Sequence, residues 1–294
     1  MRFDASRIGP DPEAYLAAQE ARVPGITPGV QKRILWAGET GGKTALALVY
    51  VHGFSATSEE LRPLPDRVAQ ALNANLVFTR LTGHGLPGEA LARASLLDWK
   101  ADIAEALAVA ERIGQRTVLL ACSTGATLAT LALPEPMGQA VAAAVFISPN
   151  FRVKAPAARI LTWPLVRHWG PLVAGRMRGF APRNADHARY WTCRYPTEAL
   201  IPMATAVAAA ARAPVEAIGT PALMLYDRAD TVVDHRATEA LANRWGGPIL
   251  THPVSTGAED DPDHHVIAGA ILSPRQTGPM AQTIATWIKE TTGV

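Results

Sequence analysis

Cysteine is nearly absent: Cys122 and Cys193 are the only two in 294 residues, too few and too irregular for a disulfide framework. Charge of either sign is scarce too, with 18% charged residues and a formal net charge of +2. A chain this close to neutral, without a clustered basic face, offers no footprint for nucleic acid. No apolar run reaches the roughly 20 residues that span a bilayer, so no membrane span is expected. The opening M-R-F-D-A-S-R-I-G-P-D-P carries early acids and prolines and no apolar segment. That start predicts no secretory leader and a cytoplasmic location. Internal repeats and low-complexity tails are also missing. What is present is core material, 48% apolar residues, in a length that fits one large or two small domains.

Short apolar runs alternate with helical spacings. Ala45–Val51 (A-L-A-L-V-Y-V) is a continuous apolar run that stops at His52-Gly53, as a buried parallel strand does. Leu61, Leu64, Val68 and Leu72 recur at helical spacing, and Asn75–Thr79 reads as the next strand. Ser95 and Asp98 have capping-box spacing ahead of a helix carrying Leu96, Trp99, Ile103 and Leu107, which Gly114 ends. Thr117–Ala121 is a strand and Gly125–Leu133 a helix stopped by Pro134. Val141–Ile147, Pro221–Tyr226 and Pro248–Val254 are further strands, and Arg236–Trp245 and Pro279–Glu290 further helices. The alternation predicts a mainly parallel sheet covered on both faces.

One stretch breaks that rhythm. From about Arg152 to Ala213 there are five Trp and Tyr residues, several prolines and no clear strand. The runs W-P-L-V-R-H-W-G-P-L and A-T-A-V-A-A-A-A-R point to helices that belong to neither face of the sheet. Residues 152–213 therefore read as a helical cap inserted over the sheet's carboxyl edge, where open α/β sheets place their sites, within a single domain spanning 1–294. An ordinary long helical connection is the competing reading.

Two motifs offer chemistry. Residues 37–44, A-G-E-T-G-G-K-T, miss a phosphate-binding loop by one glycine, since position 37 is Ala. Such a loop must follow a strand and open a helix. This one runs into the strand Ala45–Val51, so a hairpin turn is expected there and no nucleotide. Residues 120–128, L-A-C-S-T-G-A-T-L, have the opposite setting, with a buried strand before and a helix after. A nucleophile elbow needs small neighbours at that sharp turn. Gly125 supplies one and Ala121 replaces the other by one methyl group. Cys122 is a rival nucleophile by chemistry, but Gly125 lies two residues after Ser123 and three after Cys122.

A nucleophile needs donors for the oxyanion. His52-Gly53-Phe54 follows the first strong strand, and the amides of Phe54 and Thr124 are placed for that role. An acid and a histidine should come later in the chain. After A-L-M-L-Y stands D-R-A-D-T-V-V-D, with Asp227, Asp230 and Asp234. Asp230 sits deepest in the loop before an apolar T-V-V, while Asp227 ends the strand and Asp234 suits a helix N-cap. E-D-D-P-D-H-H-V-I-A-G then offers His264 or His265 as general base. His168, His187, His235 and His252 have no such placement. Glu259, Asp260, Asp261 and Asp263 lack the regular spacing of metal ligands, so neither metal nor organic cofactor is expected.

Taken in order, H-G-F at 52–54, R-L-T-G-H-G at 80–85, C-S-T-G-A-T-L at 122–128, I-S-P-N-F at 147–151, Y-D-R-A-D-T-V-V at 226–233 and H-V-I-A-G-A-I-L-S-P at 265–274 cover nearly the whole chain after residue 45. Together they resemble the α/β-hydrolase fold, in particular esterases and lipases similar to monoacylglycerol lipase and small bacterial carboxylesterases. The resemblance implies a catalytic set of Ser123, Asp230 and His265, its H-V register preferring His265 over His264. It places His84 in a structural turn and makes W-T-C-R-Y-P at 191–196 a cap block. Two departures stand out: Ala121 in place of the elbow glycine, and Asp227 where many members carry a small residue.

The expected activity is hydrolysis of a small carboxylic ester through an acyl-enzyme. Trp163, Trp169, Trp191, Phe180 and Met177 would supply an apolar pocket in the cap. Thioester, C–C bond or perhydrolase chemistry on the same scaffold is the alternative, as is a non-catalytic binder. Nothing in the sequence speaks to oligomeric state.

Overall fold

The continuously apolar strands and period-3.6 helices build one central sheet with helices on both faces. In the computed structural model, which describes residues 3–294, α1 (Pro12–Glu20) leads to the edge strand β1 (Arg33–Leu35), followed by β2 (Thr44–Val51), α2 (Leu64–Ala71) and β3 (Asn75–Phe78). Next come α3 (Gly88–Arg93), α4 (Leu96–Ile113), β4 (Gly114–Cys122), α5 (Thr124–Ala132) and β5 (Val141–Ile147). The segment after β5 holds α6 (Val166–Ala174), β6 (Met177–Gly179), α7 (Ala185–Tyr190), β7 (Arg194–Pro196) and α8 (Leu200–Ala210). The chain ends with β8 (Ala222–Asp227), α9 (His235–Ala242), β9 (Ile249–Val254) and α10 (Pro274–Thr292). Among the described residues no helix is long and apolar enough to cross a membrane.

The seven strands lie in the order β1-β3-β2-β4-β5-β8-β9. All neighbours are parallel except β1 with β3. Alternate side chains on each strand enter two separate cores. Val49, Leu119, Ala121 and Met224 face α4 and α5 with Ile103 and Ala129. Leu48, Leu120, Cys122 and Leu223 face α2 and α10 with Val68 and Ile284. Burial on both faces is why these strands read as unbroken apolar runs. The capping box is formed: the Asp98 amide donates to Ser95 Oγ at 3.3 Å, and the Ser95 amide donates to Asp98 Oδ2 at 2.9 Å.

Four features differ from the expectations. The turn at 37–44 does not close a hairpin, because β3 lies between β1 and β2. Asn75 at the start of β3 holds that turn, accepting from the Ala37 amide at 2.9 Å and donating to the Gly42 carbonyl at 2.7 Å. The last helix starts at Pro274, so Pro279 lies inside it rather than at its first turn. The segment that shows no clear strand in its sequence contains the antiparallel pair β6–β7. Finally, α8 is not detached from the sheet's faces: Met203, Ala206 and Ala210 join the same core as α4 and α5, because its small alanines let it lie close.

The carboxyl ends of β2, β4, β5 and β8 and the loop after β9 meet at one edge, the usual site position in open α/β sheets. The 152–213 segment crosses that edge. Its Thr192 amide donates to the Ser55 carbonyl at 2.7 Å, Arg183 pairs with Asp263 at 2.8 Å, and Asn184 Nδ2 donates to the Ile271 carbonyl at 2.9 Å.

Candidate active site

Ser123 occupies the turn between β4 and α5 with φ 49° and ψ −115°. A non-glycine residue held there carries strain of about 1–3 kcal/mol, which persists only where surroundings over-determine it. They do here: the Ser123 amide donates to the Ile147 carbonyl at 2.9 Å, and the Ser123 carbonyl accepts from the Asn150 and Ala126 amides at 3.1 and 3.0 Å. Gly125 is dictated by the close approach of helix and strand, since a Cβ there would lie 2.3 Å from the Val51 carbonyl oxygen. Ala121 meets no such limit; it pairs in register between Val51 and Phe146, and its methyl is ordinary core. Cys122 points to the opposite face, fully buried. Burial and the Glu60 carboxylate push its thiol well above the usual range, so it stays protonated and is no rival to Ser123.

The H-G-F turn lies against Ser123. A Cβ on Gly53 would be 3.2 Å from Ser123 Cβ and 2.6 Å from Glu60 Oε1, so a side chain there would displace the Glu60 carboxylate. The Gly53 amide donates to Glu60 Oε2 at 2.7 Å, and the Tyr50 hydroxyl donates to the same oxygen at 3.1 Å. His52 accepts from the Leu81 amide at Nε2, 3.1 Å, so its Nδ1–H donates to the Gly53 carbonyl at 2.9 Å. Burial holds His52 down to about 4, a neutral ring used as a fixed strut. The Phe54 ring packs edge-on against His84, Trp99 and, from the segment above, Tyr195. His84 is likewise buried and neutral, which suits the structural turn the resemblance implied. Among the described residues neither the Phe54 nor the Thr124 amide has an acceptor. Two free donors thus flank Ser123.

Two acid–histidine pairs converge from the carboxyl end of β8 with the loop that follows it and from the loop after β9. His265 Nδ1–H donates to Asp230 Oδ2 at 2.7 Å, leaving Nε2 to accept from Ser123 Oγ at 3.0 Å. Asp230 is 1% exposed; its Oδ1 accepts from the Val232 and Val233 amides at 2.7 and 2.9 Å, which fixes the carboxylate's orientation. Burial alone would depress the His265 imidazole, but Asp230, with Glu60 and Asp261, raises it above the ordinary histidine value. His264 turns away at φ 54°. Its Nδ1–H donates to Thr256 Oγ1 at 2.5 Å, and the Thr256 hydroxyl donates to Asp227 Oδ2 at 2.7 Å. Asp234 caps α9, its Oδ1 accepting from the Arg236 amide at 3.1 Å.

The structure thus brings Ser123, Asp230 and His265 into one line with the amides of Phe54 and Thr124 beside it. Several contributors were not legible. Glu60 carried no signal beyond being an acid seven residues after Gly53. Asp261 accepts from the His265 and Val266 amides at 3.2 and 2.9 Å and so pins the histidine's backbone. Of the other acids of that loop, Asp260 accepts from the Gly257 amide at 2.8 Å and Glu259 pairs with Arg275 at 3.3 Å, while Asp263 reaches Arg183 of the 152–213 segment. Of the apolar side chains expected to line a cap pocket, Trp163, Phe180 and Met177 are exposed, Trp169 leans on Trp163, and Trp191 is packed into the core.

With this geometry in view, the similarities to known proteins have a structural meaning. Residues 48–275 match the alpha/beta hydrolase family. The thermostable monoacylglycerol lipase of Bacillus sp. (strain H-257) is 33% identical over 90 residues, 31% of this chain and 35% of that protein, so the match spans about a third of the relative's length. Among solved structures, one of the metagenome-derived lipolytic enzymes LipS and LipT superposes with a TM-score of 0.73 at 20% identity, covering 90% of this chain and 99% of that one. The Paleococcus ferrophilus monoacylglycerol lipase gives 0.63 at 15% identity, over 89% of this chain and 99% of that one. A soluble variant of the Saccharomyces cerevisiae monoglyceride lipase gives 0.66 at 12% identity, over 89% and 91%. At such identities the structural likeness speaks for the fold. Matched from residue 48 to residue 275, most of its length, the chain belongs to the alpha/beta hydrolase family.

Proposed function

We propose that the protein is a serine hydrolase of carboxylic esters, with Ser123 as nucleophile, His265 as general base and acid, and Asp230 orienting the imidazole. The observation that carries this reading is the unbroken relay, 2.7 Å from Asp230 to His265 and 3.0 Å from His265 to Ser123, beside two amides without acceptors. Ser123 Oγ attacks the ester carbonyl as its proton passes to His265 Nε2, and the imidazolium so formed is stabilised by Asp230. The Phe54 and Thr124 amides receive the charge that develops on the carbonyl oxygen. The tetrahedral intermediate collapses, the alcohol leaves with the proton from His265, and an acyl group remains on Ser123. Water, deprotonated by His265, attacks that acyl group and releases the carboxylic acid, which restores Ser123.

Residues 152–213 act as a cap on a single domain in this reading, anchored on the turn that carries Phe54 through Thr192 and Tyr195. The likeness to monoacylglycerol lipases favours esters of a small alcohol with an apolar acyl chain. A panel of p-nitrophenyl esters of increasing acyl length, run on wild type and Ser123→Ala, tests the assignment. Turnover should fall by about 10³–10⁶-fold in the variant with its fold unchanged by circular dichroism. Retained hydrolysis in Ser123→Ala refutes it.

A further inference from the structure

A cavity of about 820 Å³ opens beside the catalytic loops and shares none of the residues assigned above to catalysis. One wall is the apolar side of α8, with Met203, Val207 and Ala208, together with Phe151. The lining also carries four cations, Arg152, Lys154, Arg228 and Arg236, together with Thr162 and His235, and Asp234 is the one acid in it. Arg152 is paired with Asp234 at 3.2 Å, and Arg228 reaches Glu239 at 3.5 Å. Lys154 Nζ donates only to the backbone carbonyl of Asp230, and Arg236 has no carboxylate partner among the described residues. An apolar stretch along α8 and, in the same cavity, two exposed cations without carboxylate partners are complementary to a molecule with one anionic head and an apolar body.

We propose that this cavity binds a straight-chain carboxylate, its head on Lys154 and Arg236 and its chain along α8. The site is joined to the catalytic acid through backbone. Val153 bridges Val233 in antiparallel fashion, the Lys154 amide donates to the Val232 carbonyl at 2.9 Å, and the Asp234 amide donates to the Arg152 carbonyl at 2.8 Å. The Val232 and Val233 amides in turn hold the Asp230 carboxylate. A carboxylate that draws Lys154 off the Asp230 carbonyl therefore loosens the loop that orients His265, and turnover falls. This consequence rests on the proposed ester hydrolysis, whose product is such a carboxylate; the binding itself does not.

Calorimetric titration of decanoate into the full chain tests binding without any turnover. One site is expected, weakened at least tenfold in Ala208→Trp, which fills the cavity, and in Arg236→Glu, which reverses the free cation. Uncharged decanol should bind at least tenfold more weakly than decanoate, and His265→Gln should leave decanoate binding unchanged. No binding at millimolar decanoate, equal binding by Ala208→Trp, or loss of binding in His265→Gln would each overturn the site, the last by placing the carboxylate at Ser123. In steady-state assays decanoate should lower kcat for a p-nitrophenyl ester in wild type and not in Ala208→Trp. A rise in KM alone, equal in both, would overturn the coupling. Absence of ester turnover in wild type would instead refute the proposed function and leave the titration interpretable.

Discussion

Asp230–His265 and Asp227–His264 are two acid–histidine pairs built from the same two loops, and they do different things. The acids stand three residues apart, Asp227 as the last residue of β8 and Asp230 in the loop that follows, and the histidines are neighbours. The left-handed backbone at His264 sends adjacent rings in opposite directions. One ring, 13% exposed, ends on Ser123 Oγ; the other, 30% exposed, ends on Thr256. Burial works against charge on Asp227, yet the Thr256 and Ala229 amides and the Thr256 hydroxyl hold its carboxyl below the ordinary range, a carboxylate occupied with closing a loop. Asp230 spends one oxygen on backbone amides and keeps the other for His265. An acid beside a histidine becomes a relay, on the proposed function, only where the second ring nitrogen meets a hydroxyl, as His265 Nε2 meets Ser123 Oγ.

The sharpest way to break that contrast is to remove each ring in turn. His265→Gln should lower kcat by about 10⁴–10⁶-fold, whereas His264→Gln should stay within about threefold of wild type. Comparable losses in both would mean the two pairs act as one unit. The acids come next. Asp230→Asn keeps Oδ1 for the Val232 and Val233 amides but turns an NH₂ toward His265 Nδ1, which forces the wrong tautomer; kcat should drop about 10³–10⁴-fold. Asp227→Asn sets an NH₂ against the Ala229 or the Thr256 amide, whichever way its amide turns, and should cost about 1–3 kcal/mol of stability, with kcat of the folded fraction nearly unchanged. Urea melts alongside initial rates separate the two effects.

A smaller effect probes what reaches His265 from outside its own pair. Proton abstraction needs the neutral ring, and His265 is raised, so activity should be lost as pH falls through a value above 6.5. Asp230, Asp261 and Glu60 all favour the charged ring, while the Tyr50 hydroxyl and Cys122 thiol face Glu60. Glu60→Gln retains an acceptor for the Gly53 amide but removes one charge, so the acid limb of kcat/KM should move to lower pH by about 0.5–1 unit. Tyr50→Phe removes a hydrogen bond to Glu60 and should leave the limb in place. A limb unmoved in Glu60→Gln would show that its charge is not felt at the histidine.

Much of this was legible because the burial pattern writes itself into the chain. Strands covered on both faces must be apolar throughout, so β2, β4, β5 and β8 announce themselves, and the motifs follow at their carboxyl ends. The elbow was legible for a similar reason: Gly125 is required by a 2.3 Å approach to a carbonyl oxygen, a constraint that leaves one residue type. Ala121 looked like a defect only by comparison with a pattern, and the sheet absorbs its methyl. What stayed hidden has no local signature. β1 is three residues long and pairs with a strand some forty residues away. Glu60 gains its importance from a turn and a strand that meet only after folding. In residues 152–213 small elements that rest on loops carry no clean period, so neither the β6–β7 pair nor the packing of α8 into the core beside α4 and α5 is legible in the sequence.

The weakest test of the two pairs falls on the link that separates them. Thr256→Val keeps the shape of the side chain and deletes the hydroxyl through which His264 and Asp227 communicate. The Thr256 amide still donates to Asp227 Oδ2 at 2.8 Å, and Asp261 still pins His265 and Val266, so the loop after β9 keeps its course. The lost hydrogen bonds should cost about 1–2 kcal/mol, which in a chain of this size lowers Tm by about 2–6 °C. With Asp230 and His265 untouched, kcat and its acid limb should match wild type within about twofold. If kcat instead falls in step with Tm, the Asp227–His264 pair is a support on which the reactive pair stands, and the two regions differ in distance from Ser123 rather than in kind.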